Sequence, residues 1–376
     1  MKAWVLGDPG QLSLIDKPVP QPGPAEVLVR VDACAICASD LEVISHGPPA
    51  VVGGGLPFNR NFTPGHEYMG TIAAVGASVD EYAVGDRVAV EIHAGCGRCE
   101  RCRHGMYTSC LNYGDDRKGH RANGFTTDGG FAQYAVNHLN TLVRVPPELS
   151  DGVATLIVTA GTAVYGLDVL GGLIAGQSLV VTGAGPIGLM VVAAARALGA
   201  SPVILTDVRD DRLAIGVRMG ADHVINASRD PVVDTVRRLN GGRGVHYVFE
   251  CSGAANAVND AVRMVSRGGR VCLGAFAHQP VAVDVEHIVA NNIYLYGIRG
   301  EGQGAVRRAA ALMAQNKIDA SPVWTHTFAL DELPTGLRYA RDRIDGAIKV
   351  VIKPQELKGS PATPGHKSET NERVSL

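Results

Sequence analysis

The stretch Thr182–Met190, TGAGPIGLM, decides the fold. It follows the apolar run LVVTG (179–183) and opens PIGLMVVAAARALG (186–199), whose small and apolar residues suit a helix lying on a sheet. Gly183, Gly185 and Gly188 form the pattern G-x-G-x-x-G, with Pro186 and Ile187 at the helix start. In such a turn the first glycine makes the tight bend and the second lets backbone approach a pyrophosphate. The third lets helix and strand pack closely, and the helix N-terminus attracts phosphate charge. Asp207 ends the next strand, PVILTD (202–207), at about the 20-residue distance expected of a carboxylate that hydrogen-bonds a ribose 2′-hydroxyl and repels a 2′-phosphate. The expected cofactor is therefore NAD, with NADP disfavoured. Arg209 works against that preference, as does Arg212, itself a cofactor-binding candidate. The competing reading makes Asp207 a turn cap.

Working outward, the runs PVILTD, HVIN, HYVFEC and RVCLG alternate with helical segments such as ANAVNDAVRMVSRGG (255–269). That alternation specifies βαβ units and a doubly wound parallel sheet. The first 150 residues differ. EVLVRVDACAI, TIAAVG, DRVAVE, FAQYAV and TLVRVP read as short strands between glycine- and proline-rich loops with no helical period, which predicts an antiparallel, barrel-like β domain. Two loops, 45–64 and 112–130, are long enough to suggest a role in shaping a pocket. After Tyr296 the pattern predicts helix (AVRRAAALMAQ), strand (VWTHTFA), helix (ELPTGLRYAR) and strand (AIKVVIK). The polar residues 355–376 predict a disordered tail.

The 376 residues, 46% apolar and 19% charged, suit about two globular domains. A net charge of −2 argues against a nucleic-acid partner. No secretory signal is visible and no run approaches the roughly 18 apolar residues of a membrane span, so a cytoplasmic location without membrane contact is expected. In that reducing setting, spaced cysteines are more often metal ligands than disulfides.

CGRCERCRHGMYTSC (96–110) spaces Cys96, Cys99, Cys102 and Cys110 as C-x2-C-x2-C-x7-C. Four thiolates close a tetrahedron with no open position, the arrangement of a structural zinc. The bacterial iron–sulfur pattern wants a three-residue last gap followed by proline, whereas here the gap is seven and Leu111 follows. Chemistry is expected elsewhere. AICASD (35–40) and PGHEYMG (64–70) supply Cys37, Ser39, Asp40, His66 and Glu67. Thiolate, imidazole and carboxylate are the ligand types of a catalytic zinc with a vacant position. Taken alone, they read more readily as a small buried hydrophobe and a surface His-Glu pair.

With both halves in view, residues 1–353 resemble the zinc-containing medium-chain alcohol dehydrogenases, and within them the polyol and sugar branch. GHEYMGTIAAVGASV (65–79) fits that family's zinc signature, and the four-cysteine lobe, GGFAQY, GAGPIG and VFECSG follow in the family's order. The resemblance implies a GroES-like catalytic domain (1–152 and 297–354) around an inserted Rossmann domain (153–296), with the active site in the cleft between them. It implies Cys37 and His66 as zinc ligands, Glu67 as a third ligand or a group behind them, Ser39 at the reacting hydroxyl, and Asp40 hydrogen-bonded behind His66.

Two positions depart from the pattern. Thr159 stands where many members place a Cys, Asp or Glu ligand, and is assigned to the nicotinamide side. Glu42 stands where a proton-relay histidine is common, so the relay is expected through Glu42, His46 or solvent. Arg299 and Glu301, in YGIRGEG, are candidate contacts to further substrate hydroxyls, or else a solvated surface pair.

The expected reaction moves a hydride from a secondary alcohol, whether polyol, sugar or cyclic alcohol, to NAD, with zinc as the Lewis acid. The rival readings are a zinc-poor reductase of the same fold acting on activated carbonyls and a non-catalytic NAD-binding scaffold or sensor. A homodimer or homotetramer is expected, with NIYLYG (292–297) as an edge strand available for pairing.

Overall fold

Strands buried on both faces have no polar alternation to show, which is why the second half of the chain reads as continuous apolar runs. In the computed structural model, which describes residues 1–47, 61–172, 175–277, 279–302 and 304–358, those runs form one parallel sheet. Its strands lie in the spatial order His223–Asn226, Val203–Asp207, Leu179–Thr182, Val245–Glu250, Val265–Leu273 and Tyr294–Gly297, every neighbouring pair parallel. Chain order is thus 3-2-1-4-5-6 across the sheet, and it reverses between Leu179–Thr182 and Val245–Glu250, the place where open α/β sheets bind ligands. Helix Pro186–Ala197 buries its continuous run Gly188–Ala195, so it is covered nearly all round, as its uniformly apolar sequence demands.

A seven-stranded sheet dominates the other unit. Trp324–Ala329 pairs in parallel with Lys349–Lys353. Antiparallel pairing then continues through Glu26–Ala35, Glu67–Val75, Arg87–Val90 and Leu142–Arg144, with Tyr134–His138 on Glu26–Ala35. The inward residues Val27, Val29 and Val31 of Glu26–Ala35 share a core with Ile72, Val88, Leu142, Val350 and Ile352. The last strand therefore closes onto the first half of the chain, about 320 residues away in sequence.

Several expectations are corrected. The first 150 residues do contain a helix, Ala38–His46. Its start is carried by a cap, in which the Asp40 carboxylate accepts the Cys37 backbone N–H at 2.8 Å, and not by an apolar period. The helix read over 255–269 stops at Met264, because Val265 turns extended and begins Val265–Leu273.

The chain divides into Met1–Val158 with Trp324 onward, and Thr159–Val323. The return to the first unit thus comes at Trp324 and not at 297. Residues 297–323 stay with the nucleotide-type unit, where a Cβ on Gly161 would lie 2.6 Å from the Val306 side chain and one on Gly302 would lie 2.9 Å from the Tyr165 ring. Residues 355–358 are also ordered. Gln355 donates from Nε2 to the carbonyls of Val31 and Gln133 at 2.9 and 2.8 Å, and the Lys358 N–H reaches Asp331 at 2.9 Å. The rest of the expected tail, 359–376, and most of loop 45–64 lie outside the described residues. Finally, Asp151–Val169 is long and apolar enough by composition to span a membrane, contrary to the expectation that no run approaches that length. It is 72% buried within the protein, as a core helix would be.

Candidate functional site

Cys37 sits at the N-cap of helix Ala38–His46, and His66 and Glu67 sit at the start of strand Glu67–Val75. One ligand atom from each of Cys37, His66 and Glu67 lies within 4.8 Å of the other two. An ion bonded at about 2.0–2.3 Å draws on all three with small side-chain adjustments, and the donor set suits zinc. Behind them Asp40, only 1% exposed, places Oδ1 2.9 Å from His66 Nδ1. An ionised carboxylate can only accept, so Nδ1 donates and Nε2 is left as the ligand nitrogen. Burial opposes a charge on His66, yet the charge and hydrogen bond of Asp40 outweigh it and hold the imidazole pKa well above its ordinary value. Phe125 packs against His66 in a tilted arrangement, ring centroids 4.5 Å apart and planes at 34°. Ser39 is half-buried with Oγ 4.0 Å from Cys37 Sγ.

Lys349 completes the cluster, and sequence reasoning missed it. It is 2% exposed, its ammonium contacts Glu67 Oε2, and it lies 3.4 Å from the Ile36 carbonyl. Burial would lower its pKa, but the Glu67 carboxylate, then the Cys37 charge, raise it above the ordinary lysine value. Glu67 therefore has one oxygen on Lys349 and one left for a metal. A lysine inside the apolar strand AIKVVIK was the available signal, since a strand paired on both edges has little room for a solvated ammonium.

Cys96, Cys99, Cys102 and Cys110 bring their sulfurs within 4.8 Å of one another. Cys96 to Cys102 is 3.9 Å and Cys99 to Cys110 is 4.0 Å, close to the roughly 3.8 Å edge of a tetrahedron with Zn–S bonds of about 2.3 Å. The backbone N–H groups of Cys99, Cys102 and Asn112 donate to Cys96, Cys99 and Cys110 at 3.3–3.5 Å, and Asn112 Nδ2 donates to Cys96 at 3.2 Å. Burial alone would raise the Cys96 thiol, but these donors bring it down to about 6. Cys99 is lowered as well, chiefly by the Cys102 N–H, whereas burial pushes Cys102 up to about 12 and raises Cys110, so the donors favour thiolate at two of the four sulfurs.

In the other unit each glycine of the turn does what its position requires. Gly183 has φ +89°, a Cβ on Gly188 would lie 1.9 Å from the Gly183 carbonyl, and a Cβ on Gly185 would meet nothing within 4 Å. The open space at Gly185 is where a phosphate can approach backbone. Pro186 and Ile187 occupy the first turn of the helix, both half-buried. Asp207 accepts the N–H groups of Ala184 and Arg209 at 2.7 and 2.9 Å, which fixes its carboxylate beside the turn. Glu250, also missed, accepts from Thr182 Oγ1 at 3.2 Å and from the N–H groups of Ser252 and Gly253 at 2.7 and 3.0 Å, tying the VFECSG turn to the glycine turn.

The remaining candidates divide. Thr159 is 2% exposed and its Oγ1 makes no hydrogen bond among the described residues, an arrangement that suits a polar group of a bound molecule. Arg212 is buried, Arg299 is half-buried and Glu301 is fully buried, so the solvated-pair reading of the last two is overturned. Glu42 and His46 are 53% and 74% exposed and pair with each other at 3.3 Å on the solvent face of their helix. Among the described residues, no hydrogen bond or ion pair from either side chain reaches the ligand cluster.

Two family profiles match the chain: the alcohol dehydrogenase GroES-like domain over residues 23–147 and the zinc-binding dehydrogenase over residues 186–315. L-threonine 3-dehydrogenase of Pyrococcus abyssi is 35% identical over 351 residues, covering 90% of this chain and 95% of that one. Sorbitol dehydrogenase of Bacillus subtilis is 32% identical over 94% of this chain and 97% of its own length. Among solved structures, a zinc-binding dehydrogenase of Sinorhizobium meliloti bound to NADP superposes with a TM-score of 0.84 at 29% identity, covering 94% of this chain and 99% of that one.

Proposed function

Because the chain belongs to the zinc-dependent medium-chain alcohol dehydrogenase family, we propose that it oxidises a secondary alcohol with NAD as hydride acceptor, using Cys37, His66 and Glu67 to hold a catalytic zinc. The observation that carries this reading is the convergence of those three ligand atoms within 4.8 Å of one another, with Asp40 seated behind His66. When bound, zinc supplies Lewis-acid polarisation of the alcohol oxygen and the nicotinamide supplies the hydride acceptor. The chain does the rest. Asp40 orients the imidazole and fixes its tautomer. Lys349 holds Glu67 by one oxygen, so that a bound cation meets a carboxylate already in place. Ser39, half-buried beside Cys37, would accept the hydroxyl proton while releasing its own to solvent. Thr159 offers its buried hydroxyl to the nicotinamide amide. Cys96, Cys99, Cys102 and Cys110 would hold a second zinc that staples their lobe, apart from the chemistry. The carboxylate of Asp207, fixed by two backbone donors, favours NAD over NADP. The relatives suggest the substrate class: threonine and sorbitol both carry a secondary hydroxyl.

Purified protein assayed for NAD reduction against L-threonine, sorbitol and cyclic secondary alcohols, with zinc measured in parallel, is expected to turn over at least one class and to contain about two zinc per chain. About one zinc and no alcohol turnover would favour the reductase reading instead.

Self-association is proposed through Tyr294–Gly297, one of the two edge strands of the parallel sheet among the described residues. Tyr294 on the edge strand Tyr294–Gly297 is 59% exposed, and Val285 and Val289 on the preceding helix are 63% and 71% exposed. An open edge flanked by apolar side chains is ready-made for pairing with a second copy. Light scattering should show at least a dimer, and Val289→Asp with Tyr294→Lys should shift the mass to that of a monomer. An unchanged mass would move the interface elsewhere.

A further inference from the structure

We propose that Asp211 sets dinucleotide selectivity together with Asp207, by closing the Arg209 guanidinium fork that would otherwise receive a ribose 2′-phosphate. The inference rests on the NAD-linked reading above and deepens it. Asp207 marks the ribose end of the turn, and Arg209 follows two residues later. The Arg209 fork is shut on Asp211: Nε donates to Oδ1 at 3.0 Å and a terminal nitrogen donates to Oδ2 at 2.6 Å. A second arginine at the same rim is held in the same way. Arg229 follows Asn226, the register partner of Asp207, and donates twice to Asp210 at 2.8 and 2.7 Å. Asn226 adds a bond to Asp210 at 2.9 Å.

Guanidinium recognises phosphate by the same planar fork that it presents to carboxylate. A fork already closed on Asp211 must open before it can serve a phosphate. The pair is 34% and 50% exposed, so it contributes little to stability and its removal leaves the fold intact.

Asp207 and Asp211 should therefore act jointly. Removing Asp207 alone takes away the repulsion of a 2′-phosphate and supplies no cation to bind it. Removing Asp211 alone lets the guanidinium fall back on Asp207, whose charge already acts on it. Only with both gone is the fork open and unopposed.

The experiment is a thermodynamic cycle on the zinc-loaded full chain, reading NADH and NADPH binding by nicotinamide fluorescence, which requires no alcohol substrate. The proteins are wild type, Asp207→Ser, Asp211→Asn, the double variant, and the double variant with Arg209→Gln. The gain in NADPH affinity of the double variant should exceed the product of the single gains by about tenfold, equal to about 1.4 kcal/mol of coupling. Arg209→Gln should abolish that excess. Coupling below about threefold, or an excess that survives the loss of Arg209, overturns the proposal. A wild-type protein that binds NADPH more tightly than NADH would instead overturn the NAD reading itself, and is visible without any variant.

Discussion

Serine in place of Cys37 is expected to lower kcat/KM for alcohol oxidation by about a thousandfold, because metal Lewis-acid stabilisation contributes several kcal/mol and each ~1.4 kcal/mol is a factor of ten. The substitution separates chemistry from folding unusually well. Cys37 is the N-cap of helix Ala38–His46 and its backbone N–H is held by Asp40. Serine is among the best N-cap residues, so the helix start, Asp40 and His66 should stay in position. The hydroxyl is a poor ligand, so zinc per chain should fall from about two to about one while the four-cysteine lobe keeps its ion. NADH binding is expected to hold, and so is the thermal midpoint when both proteins are compared without the ion at this site. Turnover equal to wild type would remove Cys37 from the chemistry, whatever the metal content showed.

Loss of the Lys349 ammonium is the other large effect. Lys349→Met removes one partner of a buried ion pair and leaves the Glu67 carboxylate without its cation, which typically costs about 3–5 kcal/mol. Denaturant unfolding of metal-free protein should show a loss of that size. Adding Glu67→Gln to the same chain should recover most of it, because the stranded charge is then gone. Zinc should also shrink the deficit, since a cation beside Glu67 replaces part of what the ammonium supplied. A loss below about 1 kcal/mol in the metal-free chain would mean that the pair does not hold Glu67.

Locality alone did not make a contact legible: Asp40 lies three residues from Cys37 and caps their helix by a local hydrogen bond, yet the helix went unread because no apolar period announced it. The four-cysteine lobe was legible because its four sulfurs come from fifteen consecutive residues, so spacing alone brings them together. Glu42 and His46 show the opposite case. A helix period of 3.6 residues turns positions 42 and 46 to one face, and that face is solvent.

The sequence by itself determined the parallel sheet, the glycine turn with Asp207 and the four-cysteine lobe, because each is written in a short run or a period that local geometry obeys, whereas Cys37 and His66 were identified as ligands only through the family resemblance. Tertiary structure alone decided that Lys349 meets Glu67 across 282 residues, that Phe125 covers His66, and that residues 297–323 remain with the nucleotide unit. Those are matters of which strand pairs with which and which helix packs on which. Pairing and packing are settled by the burial of whole faces at once, and no local pattern of residues records it.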